Sequence, residues 1–149
     1  MDEKIAIHTR CVELVNEKIN EVNKELQEIK NSAFAETKSS MGDKSETSRE
    51  MMIQESNKLS DQLEILTNQL TILRSIDATK ALSEVKLGAL VETSMAKYFL
   101  SVPLGLIQLP DQQVFTLSPN APIAKMMLEK RASDSFTFNG KTQKIFSIK

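Results

Sequence analysis

IAIHTRCVELVNEKINEVNKELQEIKNSA, residues 5 to 33, sets the architecture of the N-terminal half of the chain. Within it, one set of positions recurs at alternating steps of three and four residues. These positions are Ile5, His8, Val12, Val15, Ile19, Val22, Leu26, Ile29 and Ala33. Such a repeat over four heptads predicts a coiled-coil helix, because it keeps one mostly apolar stripe facing a partner helix. We call this set the first seam.

A second seam with the same steps follows later in the chain. It consists of Met52, Ser56, Leu59, Leu63, Leu66, Leu70 and Leu73. Because only a short polar stretch separates the two seams, they predict an antiparallel helical hairpin with its tip near residues 38–47. Ile29 is then expected opposite Met52 or Ser56. Arg49 and Ser56 occupy seam slots near the tip, so we expect less burial there than in the stem.

Composition changes sharply after about residue 80. Before that point there is no proline and only one glycine, Gly42, whereas all four prolines and three glycines come later. Such a shift marks a domain boundary. We predict a coiled-coil hairpin over residues 1–78 and a second domain over residues 84–149.

The second half has the pattern of short strands joined by turns. Strands are predicted at residues 85–92, 96–102, 114–118, 134–139 and 143–148. Asn139-Gly140 is a two-residue hairpin signal, and Pro122 suits the first turn of a helix that continues through IAKMMLEKR. The predicted fold class is therefore α+β, with an antiparallel hairpin followed by a small antiparallel sheet and one helix.

Charge and reactive side chains exclude several classes of protein. With 19 basic and 20 acidic residues, the net charge of -1 gives no general attraction to nucleic acid or membranes. One cysteine, Cys11, cannot form an internal disulfide, and one histidine, His8, cannot supply a zinc cluster. We expect His8 to be a packing residue at the hairpin base and Cys11 to be an inert, partly covered thiol. A reducing, cytoplasmic setting without membrane insertion is expected.

LSPNAPIAKMMLEKRASDSFTF, residues 117 to 138, resembles the C-terminal pattern of the Gre family of bacterial transcript-cleavage factors. The matching positions are Ser118, Pro122, Ile123, Leu128, Lys130 and Asp134. Ala121 departs from a serine of that pattern, and Glu129 and Ser133 stand where it has glycines. Residues 86–91, KLGALV, resemble the opening strand of the same domain. The resemblance implies an FKBP-like fold for the second half.

Asp43-Lys44-Ser45-Glu46 resembles the Asp-x-Ser-Glu at the hairpin tip of the same family. The resemblance implies that Asp43 and Glu46 enter the secondary channel of RNA polymerase and there help to hold a second Mg²⁺, whose preferred ligands are oxygens. Lys44 and Arg49 would modulate this tip. The family usually continues with Asn-Ala-Glu-Tyr, whereas this chain has Thr-Ser-Arg-Glu at residues 47–50, and that departure argues against full cleavage activity.

The same spacing has a structural explanation. Asp43 and Glu46 fit a polar turn in which Ser45, or Thr47 with Glu50 as a capping box, caps the second helix. Both explanations are open on sequence grounds.

The expected function is that of a Gre-like transcription elongation factor, with RNA polymerase as its partner and only indirect contact with nucleic acid. It is expected to be an accessory factor rather than an enzyme, a monomer or weak dimer, with no cofactor of its own and Mg²⁺ only in the complex. The alternatives are a non-cleaving regulator of the same channel and a coiled-coil interaction module unrelated to transcription.

Overall fold

The computed structural model describes residues 2–39 and 44–149, with side chains described outside residues 33–46. Two long helices come first, α1 (Asp2–Ser39) and α2 (Lys44–Ser75). The strands and the third helix follow in the order β1 (Leu90–Thr93), β2 (Lys97–Leu100), β3 (Gly105–Leu109), β4 (Gln112–Leu117), α3 (Pro122–Met127), β5 (Ser135–Phe138) and β6 (Lys141–Ile148). The predicted α+β class is confirmed.

The chain forms two compact units. One is Glu13–Leu70, which we call the two-helix unit, and the other joins Met1–Val12 to Thr71–Lys149, which we call the sheet unit. The predicted boundary between residues 78 and 84 follows composition along the chain. The compact units instead group the outer ends of both long helices with the sheet.

The two-helix unit buries both seams. Val15 and Val22 are buried on α1, and Leu59 and Leu66 are buried on α2. Ile29 lines a common groove with Met52 and Ser56, as an antiparallel hairpin requires. Burial weakens in that region as predicted, because Met52 and Ser56 are only half-buried whereas Leu59 is 4% exposed.

The first seam differs from its prediction at the start of α1. Ile5 is 37% exposed and His8 is half-buried, whereas Lys4, Ile7 and Cys11 are completely buried. The buried stripe is displaced by one residue because this part of α1 also packs in the sheet unit. There the imidazole of His8 meets the ring of Phe99 edge-on, with centroids 6.4 Å apart.

Cys11 was expected to be partly covered, and that expectation is wrong because its side chain is fully buried. Burial raises the pKa of the Cys11 thiol to about 12. Since the thiolate is the reactive form, the protonated thiol behaves as a small apolar core group.

The six-stranded sheet has the order β3-β4-β2-β1-β6-β5. It is mixed rather than wholly antiparallel as predicted, because β2 and β4 pair in parallel with Tyr98 beside Phe115. β4 runs parallel to β2 because an additional strand, β3, precedes it. No sequence signal predicted β3. β3 forms a hairpin with β4 through Pro110 and Asp111, and this extra strand brings β4 back in the direction of β2.

The first predicted strand, residues 85–92, is shorter in the structure. β1 covers only Leu90–Thr93, and the residues before it form turns. Gly88 has a φ of 91°, and a Cβ atom at this position would lie 3.2 Å from Cγ2 of Ile76. The positive φ favours glycine here and is incompatible with an extended strand, and a Cβ atom would also require the Ile76 side chain to shift by a few tenths of an ångström.

The C-terminal hairpin is confirmed. Phe138 pairs with Lys141, and the two residues between them, Asn139 and Gly140, have φ values of 53° and 75°. Positive φ at both positions gives the twist that a two-residue hairpin needs. Helix α3 begins at Pro122 as predicted but ends at Met127, because Leu128 leaves the helical region with a ψ of 137° and Glu129 follows with a positive φ.

Among residues 2–39 and 44–149, two residues other than asparagine and glycine adopt positive φ, namely Glu129 at 68° and Ser133 at 77°. These are the two positions at which the resembling pattern has glycines. A residue with a Cβ atom is strained in this region. The backbone therefore adopts at both positions a conformation that favours glycine, although neither residue is glycine.

We expect Glu129→Gly and Ser133→Gly each to raise the free energy of unfolding of the sheet unit by about 1 kcal/mol, because relief of strain exceeds the added backbone entropy of glycine. Urea unfolding followed by the fluorescence of Tyr98, the single tyrosine in a chain without tryptophan, measures this unit. Lys130→Gly, at a neighbouring residue without positive φ, is the control and should lower stability. Destabilisation by all three changes would contradict the strain argument.

Candidate functional site

The predicted site lies where α1 and α2 are joined in the chain. Asp43 is outside the described residues, and the side chain of Glu46 is also outside them, although its backbone belongs to the first turns of α2. Lys44 is the first residue of α2, and its side chain is likewise not described. The placement of the two acids at the hairpin tip therefore stays a prediction.

The capping alternative does not fit the observed start of α2. Because the helix begins at Lys44, both Ser45 and Thr47 lie inside it rather than at the residue that precedes it. Thr47 and Glu50 therefore cannot form the predicted capping box. Arg49 has a described side chain and is exposed on the second turn of α2.

Two uninterrupted helices lead to this junction. Helix α1 has 38 residues and α2 has 32, which correspond to about 57 Å and 48 Å at 1.5 Å per residue. Among its described residues, 13–39 and 44–70, the two-helix unit contains no other element. A pair of helices about 20 Å across can enter spaces that a globular domain cannot.

Two grooves flank the seam of the two-helix unit. We call the first the basic groove; it encloses about 490 Å³ and is lined by Leu26, Ile29, Lys30, Arg49, Met52, Ile53, Ser56 and Asn57. We call the second the acidic groove; it encloses about 370 Å³ and is lined by Glu25, Glu28, Ile29, Ser32, Met52, Glu55 and Leu59. Arg49 and Ser56 are recognisable in the sequence as weak points of the seam, but the separation of charge between the grooves is not.

A charged cluster in the sheet unit ties the start of α1 to two distant residues. The Glu3 carboxylate accepts hydrogen bonds from the ammonium groups of Lys97 and Lys149, the latter at 3.0 Å. Lys97 also donates to the side-chain oxygen of Gln112 at 2.9 Å. The partners of Glu3 lie 94 and 146 residues away in the chain. No local sequence signal could have indicated them.

The pKa of Glu3 reflects two opposing effects. Burial raises the pKa of this carboxyl group, but hydrogen bonds and charge from Lys97 and Lys149 outweigh it, and the net pKa is lowered. The hydrogen bond to Glu3 raises the pKa of Lys97 in turn. Both groups are therefore charged at neutral pH, and their attraction holds the start of α1 against Lys97.

Lys4 is a buried cation beside this cluster. Its ammonium group donates to the carbonyl oxygen of Lys80 at 3.0 Å. Burial lowers the pKa of Lys4, and the charge of Asp77 opposes that shift. A lysine buried in this way holds the residues after α2 in place, because its polar end must keep a partner.

His8 has a structural role, as predicted. Its Nε2 donates a hydrogen bond to the carbonyl oxygen of Leu73 at 2.7 Å, which fixes Nε2 as the protonated nitrogen. This bond joins the first helix to the end of the second within the sheet unit. Because Nε2 is used in this way, it is not free to act as a base or a metal ligand.

Among residues 2–32 and 47–149, no group of three or more histidine, cysteine or acidic side chains is arranged to hold a metal ion. In the described part of the chain, no helix is long and apolar enough to cross a membrane.

No family model matches the sequence, and no curated protein matches it. Among solved structures, the chain is similar to that of the transcription factor Gfh1. The two share 18% identity with a TM-score of 0.36, and the alignment covers 93% of this chain and 92% of the other. A likeness of this degree carries no functional argument.

We expect Glu3→Gln to lower the free energy of unfolding of the sheet unit by about 1 kcal/mol at pH 7. The carboxyl pKa is lower in the folded state, so the stabilisation is full above the unfolded pKa near 4.5 and is lost as pH falls through the folded value. The difference from wild type should therefore shrink toward pH 3. Urea unfolding followed by Tyr98 fluorescence at several pH values measures it.

Glu21→Gln, at an exposed carboxylate on α1, is the matched control and should change stability little at either pH. An equal loss for Glu3→Gln at pH 7 and pH 3 would show that packing, rather than charge, accounts for the effect.

Proposed function

We propose that this chain is a Gre-like transcription elongation factor that binds RNA polymerase and inserts its helical hairpin into the secondary channel. One observation carries the proposal: a compact unit whose described residues form two long helices, with the Asp43–Glu46 segment between the helices in the sequence. A slender unit of this kind suits delivery of side chains through a narrow channel. Asp43 and Glu46 supply the acidic groups that the resemblance places there.

The second half supports the alignment on which the proposal depends. Strand β4 ends at Leu117, just before Ser118, and α3 starts at Pro122. Glu129 and Ser133 have the positive φ values that glycines of the Gre pattern would favour. Agreement of backbone conformation at the two departing positions favours the proposed alignment, and with it an FKBP-like second domain.

In the proposed mechanism, Asp43 and Glu46 lend carboxylate oxygens to the catalytic centre of the polymerase. Two carboxylates fit Mg²⁺, which commonly binds one or two acidic side chains and keeps water and substrate oxygens as its other ligands. Bound there, Mg²⁺ would supply charge neutralisation and water activation for phosphodiester cleavage. The chain acts in the cytoplasm as an accessory factor with no cofactor of its own, and the polymerase carries the reaction.

A second candidate is a regulator that occupies the same channel without stimulating cleavage. Lys44 stands between the two acids, and the exposed Arg49 lies three residues after Glu46. Positive charge at these positions reduces the attraction of the acids for a metal ion. This candidate retains polymerase binding and loses the chemistry.

We expect the wild-type chain to accelerate shortening of the RNA in a stalled, backtracked elongation complex by at least about tenfold, and Asp43→Ala/Glu46→Ala to abolish the acceleration. Asp61→Ala/Glu64→Ala is the matched control, because these exposed acids on α2 have the same spacing and charge. It should retain full activity. Gel analysis of end-labelled RNA measures the rate.

Binding to the elongation complex should be measured in parallel by gel shift. Binding without RNA shortening would favour the non-cleaving regulator. If neither the wild type nor the variants bind the polymerase, both candidates are wrong, and a hairpin that serves a different partner becomes the better explanation.

A further inference from the structure

The basic groove exists because two seam slots of α2 hold residues that cannot fill them. Ser56 stands between Met52 and Leu59 in the second seam, and Arg49 occupies the slot before Met52. Helical interfaces pack to high density when large apolar residues fill such slots. Here the small side chain of Ser56 lines, together with Leu26, an open groove of about 490 Å³.

The groove exposes apolar surface that the hairpin itself does not cover. Leu26, Ile29 and Met52 are only half-buried, and Ile53 on the rim is 54% exposed. Further along α2, the fully buried Leu59 and Leu66 alternate with the half-buried Leu63 and Leu70. At the groove, by contrast, no seam residue of α2 is fully buried.

Charge separates across the seam at the same level. Lys30 and Arg49 line the basic groove, and neither forms an ion pair with another described residue. The acidic groove, which shares Ile29 and Met52, is lined by three glutamates, Glu25, Glu28 and Glu55. The described lining of the basic groove includes no acid, and that of the acidic groove includes no base. An acidic ligand is thus attracted to one groove and repelled by the other.

The lining favours protein over nucleic acid as the ligand. Its described apolar side chains are aliphatic or thioether groups, whereas proteins that bind single strands stack bases on aromatic side chains. Methionine adapts to varied apolar shapes and is common in grooves that accept helices. An amphipathic helix places apolar residues on one stripe and can carry carboxylates on either side of it.

We propose that the basic groove binds an acidic amphipathic helix of a partner protein. One or two large apolar side chains of that helix enter beside Leu26 and Met52, and its carboxylates pair with Lys30 and Arg49. Ile53 covers the edge of the contact. This site depends only on the geometry of the two-helix unit and does not require the proposed polymerase role.

The test uses a fluorescein-labelled helical peptide of about 18 residues with leucines on one stripe and glutamates beside it. Fluorescence anisotropy with the full chain should show saturable binding. Lys30→Glu/Arg49→Glu should weaken the binding at least about tenfold by reversing the charge of the groove. Ser56→Leu should weaken it equally by filling the groove, while circular dichroism shows unchanged helix content and an unfolding midpoint that is the same or higher.

Lys24→Glu/Lys58→Glu is the control for net charge, because both lysines are exposed and lie outside both grooves. It should keep the affinity within about twofold of wild type. An equal loss in this control would overturn the site, as would undiminished binding by Ser56→Leu. Tighter binding of single-stranded oligouridylate, or equal binding of a peptide with lysines in place of the glutamates, would also overturn it. Absence of saturable peptide binding up to about 1 mM would do the same.

Discussion

The pairing of two apolar seams is the interaction on which the two-helix unit depends. A unit of two helices has one interface in which to bury side chains, and among its described residues the fully buried apolar ones are Val15, Val22, Leu59 and Leu66. Each substitution in the seam has a local cost, because no second layer compensates for it. The groove lies where Ser56 and Arg49 occupy seam slots that large apolar residues would fill.

In the sheet unit, by contrast, side chains that are far apart in the sequence meet in one cluster. Glu3 lies in the first turn of the first helix, Lys149 is the last residue of the sequence, and Lys97 starts the second strand, yet all three meet in one charged cluster. His8 and Lys4 add hydrogen bonds to carbonyl oxygens of Leu73 and Lys80. The start of α1 is thus held by polar contacts around a buried apolar stripe.

Periodicity and turn chemistry predicted most of the fold, because both are local properties. The second seam, the Asn139-Gly140 hairpin and the start of α3 at Pro122 all follow from residues that are close in sequence. The one-residue displacement of the first seam did not, because it depends on sheet residues such as Phe99 about 90 positions away. Strand β3 was missed because Pro103 and Pro110 bracket it, and proline is compatible with a strand mainly at a sheet edge, which sequence alone does not identify.

The candidate site was likewise only partly predictable from the sequence. Asp43 and Glu46 could be named from a short pattern, although their geometry lies outside the described residues. The basic groove needed the structure, because Lys30 and Arg49 come from different helices and become neighbours only when the seams pair.

Pro103 and Pro110, which made β3 difficult to predict from the sequence, also limit the pairing of another chain with this edge strand. An edge strand offers unpaired backbone groups to any passing chain, and β3 exposes Leu106 beside them. Pro103 and Pro110 lack the N–H group that a continuing ladder requires, and they lie on either side of a strand of only five residues. A seventh strand that paired with β3 could therefore form only a short ladder at this edge of the sheet.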